Sequence, residues 1–246
     1  MSAFPYTLQE DELPRLGLIV LQVDETIEQD FRRLFPPHVA RLYVNRITSG
    51  AELTPESIAA METALPAAAS LLPSAQRLDV VGYACTSGTT LIGAARVAEL
   101  VAQATRTRAV TDPLTAALAQ CHALGLRRVG IVSPYIPSVA DPIRNAFEAA
   151  GIDVPGTLSF GEEIEARVAR IAPASIAEAA RELARRHKPD GIFLSCTNLR
   201  TLNILEPLAQ ELGLPVLSSN QCLAWHMAKL AGSIPPPGKR TPAPRG

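Results

Sequence analysis

Two cysteines in this 246-residue chain occupy positions in the sequence that are typical of reactive thiols. Cys85 and Cys196 each follow a short apolar segment that predicts a buried strand of a parallel sheet. After each cysteine come a threonine, then a serine or an asparagine, and then a helical pattern. Free N–H groups at a helix start stabilise the thiolate, which is the nucleophilic form of cysteine. The pattern therefore predicts two active-site thiols.

Small polar residues also follow the predicted strands, and ligands of open parallel sheets bind beyond the carboxyl ends of the strands. Those beside the two cysteines or at other strand ends are Asp24, Thr86, Ser87, Tyr135, Thr197 and Asn198. Most of them are neutral hydrogen-bond donors, and neutral donors near helix starts suit a carboxylate. These residues therefore predict that this edge of the sheet binds a small carboxylate.

Several of the polar residues and cysteines also have a purely structural explanation. A lone free cysteine is most often a small buried apolar residue, and this is the interpretation favoured for Cys121 and Cys222. Asp24 could cap a helix, and Tyr135 could be a core ring at a turn. The three glutamates between residues 162 and 165 are expected to form a solvent-exposed face.

Apolar strand patterns alternate with helical patterns along the chain, which is typical of parallel sheets flanked by helices. The predicted strands cover residues 16–23, 39–47, 78–84, 108–111, 128–133, 191–195 and 214–218. The predicted helices include residues 55–72, 90–105, 113–124, 139–150, 175–187 and 203–212. The sequence therefore predicts an α/β fold.

The first and second parts of the chain match each other. Residues 17–20, 79–87 and 108–112 match residues 130–133, 190–198 and 214–218 in the same order, at offsets of roughly 110 residues. This alignment places Cys85 opposite Cys196, which favours a shared role for the pair.

The duplication defines the expected domains. These are an N-terminal extension (1–15), a first half (16–124), a second half (125–232) and a flexible tail (233–246). The tail is proline-rich and basic, with almost nothing apolar to bury. The last helix of one half could pack on the other half.

Composition and charge exclude several classes of protein. The formal net charge of −1 and the absence of a Lys/Arg run argue against a nucleic-acid partner. The apolar segments are too short to span a membrane, and residues 1–15 lack the features of a signal peptide, so a cytoplasmic location is expected. The four cysteines and four histidines lack the short spacing of a metal site, so none is expected.

The chain resembles the aspartate/glutamate racemase superfamily and, within it, the branch of maleate cis-trans isomerase and arylmalonate decarboxylase. The resemblance covers residues 16–232 and is carried by CTS at 85–87, RVGIVSPY at 128–135, GIFLSCTN at 191–198 and GLPVLSSN at 213–220. It implies a cofactor-free enzyme that forms a homodimer or a larger homo-oligomer. It also implies two pseudo-symmetric Rossmann-like halves, each a parallel sheet flanked by helices, with the active site in the cleft between them.

The resemblance also implies roles for individual residues. Racemases of this kind use two cysteines as opposed acid and base, and maleate isomerases add one thiolate to the double bond while the second cysteine handles the proton. Arylmalonate decarboxylases keep only the second cysteine, so the presence of both Cys85 and Cys196 argues against that reaction. Tyr135 matches the family tyrosine that contacts a substrate carboxylate.

Asp24 departs from the family pattern, because maleate isomerases carry an asparagine after the first strand. A carboxylate there repels a second substrate carboxylate and favours an ammonium group or an amide donor. The segment over residues 24–33 is similar to the ectoine-utilisation proteins of the same branch, which are associated with the breakdown of a cyclic amidine. This similarity favours a substrate that contains nitrogen.

The leading hypothesis is therefore a cofactor-independent cis-trans isomerase or racemase of a small carboxylate, either maleate-like or nitrogen-containing and similar to an amino acid. Cys85 and Cys196 would carry the chemistry, and the polar strand-end residues named above would bind the substrate. One alternative is a decarboxylase of the arylmalonate type with Cys196 as the proton donor. Another is a carboxylate-binding protein without catalytic activity.

Overall fold

The structure is a computed structural model that describes residues 3–9, 12–51, 54–232 and 234. Its strands are Arg15–Leu21 (β1), Arg41–Ile47 (β2), Leu78–Ala84 (β3), Thr107–Thr111 (β4), Val129–Ser133 (β5), Thr157–Ser159 (β6), Gly191–Leu194 (β7) and Val216–Ser218 (β8). Its helices are Ile27–Leu34 (α1), Pro55–Ser70 (α2), Thr86–Ile92 (α3), Ala94–Ala104 (α4), Pro113–Ala123 (α5), Pro137–Ala149 (α6), Glu165–Val168 (α7), Pro173–His187 (α8), Leu205–Leu212 (α9) and Ser219–Ala231 (α10).

The strands form two four-stranded parallel sheets. The strand order is β2-β1-β3-β4 in the first sheet and β6-β5-β7-β8 in the second. Strands β5 to β8 therefore repeat the order of β1 to β4, in agreement with the matching sequence segments. The predicted α/β fold with two parallel sheets flanked by helices is confirmed.

Alternate residues of β1 face opposite sides of the first sheet, and helices cover both sides. Leu16, Leu18 and Val20 share a core cluster with residues of α1 and α10. Ile19 and Leu21 share another cluster with residues of α2 and α4. Because both faces of β1 are buried, its sequence is almost continuously apolar rather than alternating.

The last helix of each half packs on the sheet of the other half. Helix α10 follows β8, yet its Leu223 and Met227 lie in the core of the first sheet. Helix α5 follows β4, yet its Leu114 and Cys121 lie in the core of the second sheet. Cys121 and Cys222 are both fully buried, which confirms the prediction that they are core residues.

Some predicted elements differ from the structure or lie beyond it. Residues 90–105 contribute to two helices, α3 and α4, because Gly93 has a φ of +95° and ends the first of them. The predicted tail over residues 233–246 lies outside the described residues, apart from Ile234. In the part of the chain that the structure describes, no helix is long and apolar enough to cross a membrane.

Candidate active site

Cys85 lies at the carboxyl end of β3 and is the N-cap residue of α3. Its Sγ accepts a hydrogen bond from the N–H of Gly88 at 3.1 Å, and the Oγ of Ser87 lies 3.7 Å from it. A Cβ atom at position 88 would lie 2.8 Å from Sγ, so glycine leaves the thiol its room. Burial raises the pKa of Cys85 to about 12, although the Gly88 and Ser87 donors act to lower it.

Cys196 follows β7 at the matching position, but no helix begins there. The next residues form a turn and α9 starts only at Leu205, so the predicted helix start beside Cys196 is wrong. The Sγ of Cys196 instead accepts a hydrogen bond from the N–H of Asn198 at 3.4 Å. Its backbone φ of +134° is rare for a residue with a side chain and costs on the order of 1–3 kcal/mol. Such strained residues cluster at functional sites.

Ser219, the first residue of α10, connects the two cysteine loops. Its Oγ accepts a hydrogen bond from the N–H of Cys196 at 3.0 Å and lies 2.9 Å from the Oγ1 of Thr86. The hydroxyl of Thr197 donates to the carbonyl oxygen of Ala84 at 3.4 Å. The loops after β3 and β7 therefore lie side by side, where the carboxyl ends of the two sheets meet.

The loop after β1, which carries Asp24, also reaches the region of the two cysteine loops, where it contacts Asn198. The Oδ1 of Asp24 accepts hydrogen bonds from the N–H groups of Thr26 at 2.8 Å and Ile27 at 2.9 Å, so this carboxyl binds the backbone at the start of α1, whose N-cap residue is Thr26. Its Oδ2 is buried and has no hydrogen-bond partner over the described ranges. The side-chain oxygen of Asn198 accepts a hydrogen bond from the N–H of Glu25 at 2.9 Å.

Glu165 is a residue of this site that the sequence does not reveal. The prediction that it lies on a solvent-exposed face is wrong, because the side chain points inward and only 3% of the residue is exposed. Its Oε2 accepts a hydrogen bond from the Nδ2 of Asn198 at 2.8 Å. Burial raises the pKa of Glu165 to about 7; the Asn198 amide acts against this shift, and the charge of Asp24 adds to it. Its neighbour Glu163 is exposed, as predicted.

The charge of Glu165 acts on both cysteines, whereas Tyr135 acts on Cys196. Burial above all, and then the negative charge of Glu165, raise the pKa of Cys196 well above its usual value. The charge of Glu165 also raises the pKa of Cys85. Tyr135 is buried, and its hydroxyl lowers the pKa of Cys196 through a hydrogen bond. Both thiols are therefore neutral near pH 7 in the free protein.

The structure brings the predicted site residues together where the two sheets meet. All of them are buried: Asp24, Cys85, Thr86, Ser87, Tyr135, Cys196, Thr197 and Asn198. Their roles in binding and catalysis stay predictions. Within residues 3–9, 12–51, 54–232 and 234, no group of three or more His, Cys, Asp or Glu side chains could hold a metal ion.

Known proteins match the chain over most of its length. The family model described as arylmalonate decarboxylase matches residues 16–239. The arylmalonate decarboxylase of Bordetella bronchiseptica is 32% identical, over 92% of this chain and 93% of that protein. The maleate isomerase of Geobacillus stearothermophilus is 23% identical, over 87% of this chain and 90% of that protein.

Solved structures show the same fold. A double mutant of arylmalonate decarboxylase in its liganded form is 27% identical, with a TM-score of 0.80 over 92% of this chain and 97% of that chain. A mutant of the Nocardia farcinica maleate cis-trans isomerase with a covalently bound succinylcysteine intermediate is 23% identical, with a TM-score of 0.79 over the same shares. The predicted resemblance to this branch is confirmed, whereas the closer similarity to ectoine-utilisation proteins stays a prediction. The chain belongs to the arylmalonate decarboxylase family.

Proposed function

We propose that the protein is a cofactor-independent isomerase, either a cis-trans isomerase or a racemase, that acts on a small carboxylate through Cys85 and Cys196. The observation that carries this proposal is that the loops of the two buried cysteines lie side by side, because the Oγ of Ser219 accepts from the N–H of Cys196 at 3.0 Å and lies 2.9 Å from the Oγ1 of Thr86, next to Cys85. Two thiols beside one substrate could act as acid and base on different faces of a carbon atom. Membership of the family supports a cofactor-free isomerase or decarboxylase.

Each sulfur has its own donors for the thiolate form. The N–H of Gly88 lowers the pKa of Cys85, and the Tyr135 hydroxyl and the Asn198 N–H lower that of Cys196. In a racemisation, one thiolate takes a proton from the substrate carbon and the other thiol gives a proton to the opposite face. In a cis-trans isomerisation, one thiolate forms a C–S bond to an alkene carbon, and the π electron pair moves to the neighbouring carbon, which takes a proton from the other thiol. After rotation about the new single bond, that sulfur takes a proton back, the double bond forms again, and the C–S bond breaks to restore the first thiolate.

We expect Cys85→Ala and Cys196→Ala each to lower turnover by about 10²–10⁴-fold, because each proposed route needs one sulfur as base or nucleophile and the other as proton donor. Proton NMR in heavy water measures turnover, as conversion of maleate and as deuterium exchange at the α-carbon of small amino acids. Circular dichroism checks that each variant folds. Cys121→Ala is the matched control, because Cys121 is a buried thiol outside the site. Full activity in either site variant would refute the two-thiol proposal.

Decarboxylation is the second candidate, because the relative with 32% identity is an arylmalonate decarboxylase. Cys196 would then protonate the carbon from which carbon dioxide has left, and Cys85 would take no part. Release of carbon dioxide from 2-methyl-2-phenylmalonate by the wild type and Cys85→Gly alike would favour this reaction. Loss of that activity in Cys85→Gly would favour a reaction that needs both thiols.

A further inference from the structure

Asp24 and Glu165 are two buried carboxyl groups in the candidate site, each 3% exposed. Asn198 connects them: its side-chain Nδ2 donates to the Oε2 of Glu165 at 2.8 Å, and its backbone carbonyl oxygen accepts from the Oγ1 of Thr26 at 2.9 Å. The N–H of Thr26 in turn donates to the Oδ1 of Asp24 at 2.8 Å. The two carboxyls are close enough for the charge of Asp24 to raise the pKa of Glu165.

Neither carboxyl forms an ion pair among the residues that the structure describes. Arg46 approaches Asp24, but its guanidinium donates to the backbone carbonyl oxygen of Asp24 at 3.0 Å. The same guanidinium pairs with the carboxylate of Glu28 at 2.5 Å. The side-chain partner of the Glu165 carboxyl is the neutral amide of Asn198. Burial raises the pKa of Asp24 and the charge of Arg46 acts against that shift, but in the described part of the chain no cation pairs directly with either carboxyl.

The Oδ2 atom of Asp24 is the clearest sign that a partner is missing. It has no hydrogen-bond partner within bonding distance in the described part of the chain: the nearby Thr197 hydroxyl acts to lower the pKa of Asp24 but donates to the Ala84 carbonyl at 3.4 Å. A buried polar atom without a partner is costly, and the charge of Asp24 makes ionisation of Glu165 less favourable. A positively charged hydrogen-bond donor would remove both costs.

We infer that Asp24 and Glu165 form a cation subsite that binds a protonated nitrogen of the substrate, an ammonium or an amidinium group. The N–H groups of this nitrogen would donate to the Oδ2 of Asp24, and its positive charge would favour the ionised form of both carboxyls. A metal ion fits less well, because it needs more oxygen ligands than the described residues bring together here. The inference rests on the proposed function and deepens it: the substrate is a small carboxylate that also carries a cationic nitrogen.

A cation bound at this subsite would also act on Cys196. After burial, the charge of Glu165 raises the pKa of this thiol most, and the charge of Asp24 raises it further. A substrate cation that pairs with both carboxyls cancels this influence and favours the thiolate. The interaction that recognises the substrate would therefore also prepare the sulfur for reaction.

Three unreactive probes of similar length test the subsite: 4-aminobutanoate ends in an ammonium group, pentanoate in a methyl group and glutarate in a carboxylate. We expect the wild type to bind 4-aminobutanoate at least about tenfold more tightly than the other two. Asp24→Asn and Glu165→Gln should each remove most of that preference, whereas Glu163→Gln, a change on the exposed surface nearby, should keep it. NMR titration of the intact protein near neutral pH gives the dissociation constants.

Binding of pentanoate or glutarate as tightly as 4-aminobutanoate would overturn the subsite, as would no binding of 4-aminobutanoate or an unchanged preference in the variants. Thermal unfolding checks that the variants fold; if Asp24→Asn does not, Glu165→Gln alone decides. The measurement needs no turnover. If the wild type prefers 4-aminobutanoate but the cysteine variants stay active, only the two-thiol proposal is refuted. If the wild type shows no such preference but the cysteine variants are inactive, only the subsite is refuted.

Discussion

Glu165 is the residue whose ionisation we expect to affect stability most near neutral pH. Burial moves its pKa from 4.5 to about 7. In the unfolded chain the same carboxyl is exposed and ionises at lower pH. Because the pKa is raised in the folded state, its contribution to stability is fully present below about pH 4.5 and is lost as the pH rises to about 7.

We expect Glu165→Gln to remove this pH dependence. From about pH 4 to about pH 8, the free energy of unfolding of the wild type should fall by about 3 kcal/mol relative to that of the variant. Urea unfolding at a series of pH values measures this difference. Glu163→Gln should behave as the wild type does, because Glu163 is exposed. A difference that stays constant with pH would mean that Glu165 ionises normally in the folded protein.

The sequence locates some residues of the site and not others. Cys85, Cys196 and Asp24 could be predicted because each follows an apolar strand, and the chain direction determines which edge of the sheet it reaches. The burial of Glu165 could not, because it depends on a contact between distant parts of the chain: its N–H donates to the carbonyl oxygen of Ala51 at 3.1 Å. No local pattern distinguishes it from its exposed neighbours.

Among the elements, α3 donates a hydrogen bond directly to the sulfur of Cys85. The N–H of Gly88 reaches the Sγ of Cys85 at 3.1 Å, and a Cβ atom at position 88 would lie 2.8 Å from that sulfur and 2.8 Å from the hydroxyl of Tyr83. Alanine favours a helix by about 1 kcal/mol over glycine, yet here it would displace the thiol. The helix therefore depends on a residue with low helix propensity.

We expect Gly88→Ala to keep the fold and to lower turnover at least about tenfold, because relief of the overlap moves the Sγ of Cys85 at a cost of about 1–3 kcal/mol. Iodoacetamide labelling of Cys85, followed by mass spectrometry, reports on the thiol directly. Leu91→Ala is the control, since Leu91 belongs to the same helix and is exposed. Wild-type turnover and labelling in Gly88→Ala would contradict this account.

Some strands and turns could be predicted from the sequence and others could not, as for the individual residues. Strands β3 and β7 could be predicted because they are buried on both faces and read as apolar runs. Strand β6 could not, because its three residues are partly or fully exposed and carry no pattern. The turn after Cys196 could not either, since small polar residues suit a turn and a helix start equally well.

At the scale of the whole molecule, each half supplies a helix to the hydrophobic core of the other half. Helix α10 contributes to the core of the first sheet, and α5 contributes to the core of the second. Ser219, at the start of α10, also binds the N–H of Cys196 and lies 2.9 Å from the Oγ1 of Thr86. The helix that covers the first sheet therefore also aligns the two cysteine loops.

We expect Leu223→Ala in α10 to lower the free energy of unfolding by about 2–5 kcal/mol, because it removes a fully buried side chain. Hydrogen–deuterium exchange should rise first in β1 and β3, although Leu223 is much closer in sequence to β8. The same change at Leu208 of α9, in the other core, should act first on β7 and β8. If hydrogen–deuterium exchange in the Leu223→Ala variant rose first in β7, that result would contradict the observed packing.

The packing of α10 on the sheet of the first half has a consequence for synthesis on the ribosome. Leu16, Leu18 and Val20 share a core with α10, and α10 is translated after every other strand and helix described above. The nascent first half therefore emerges with part of an apolar face uncovered, which exposes it to aggregation and makes it a substrate for chaperones. The half that is synthesised first can complete its core only after the other half has been made.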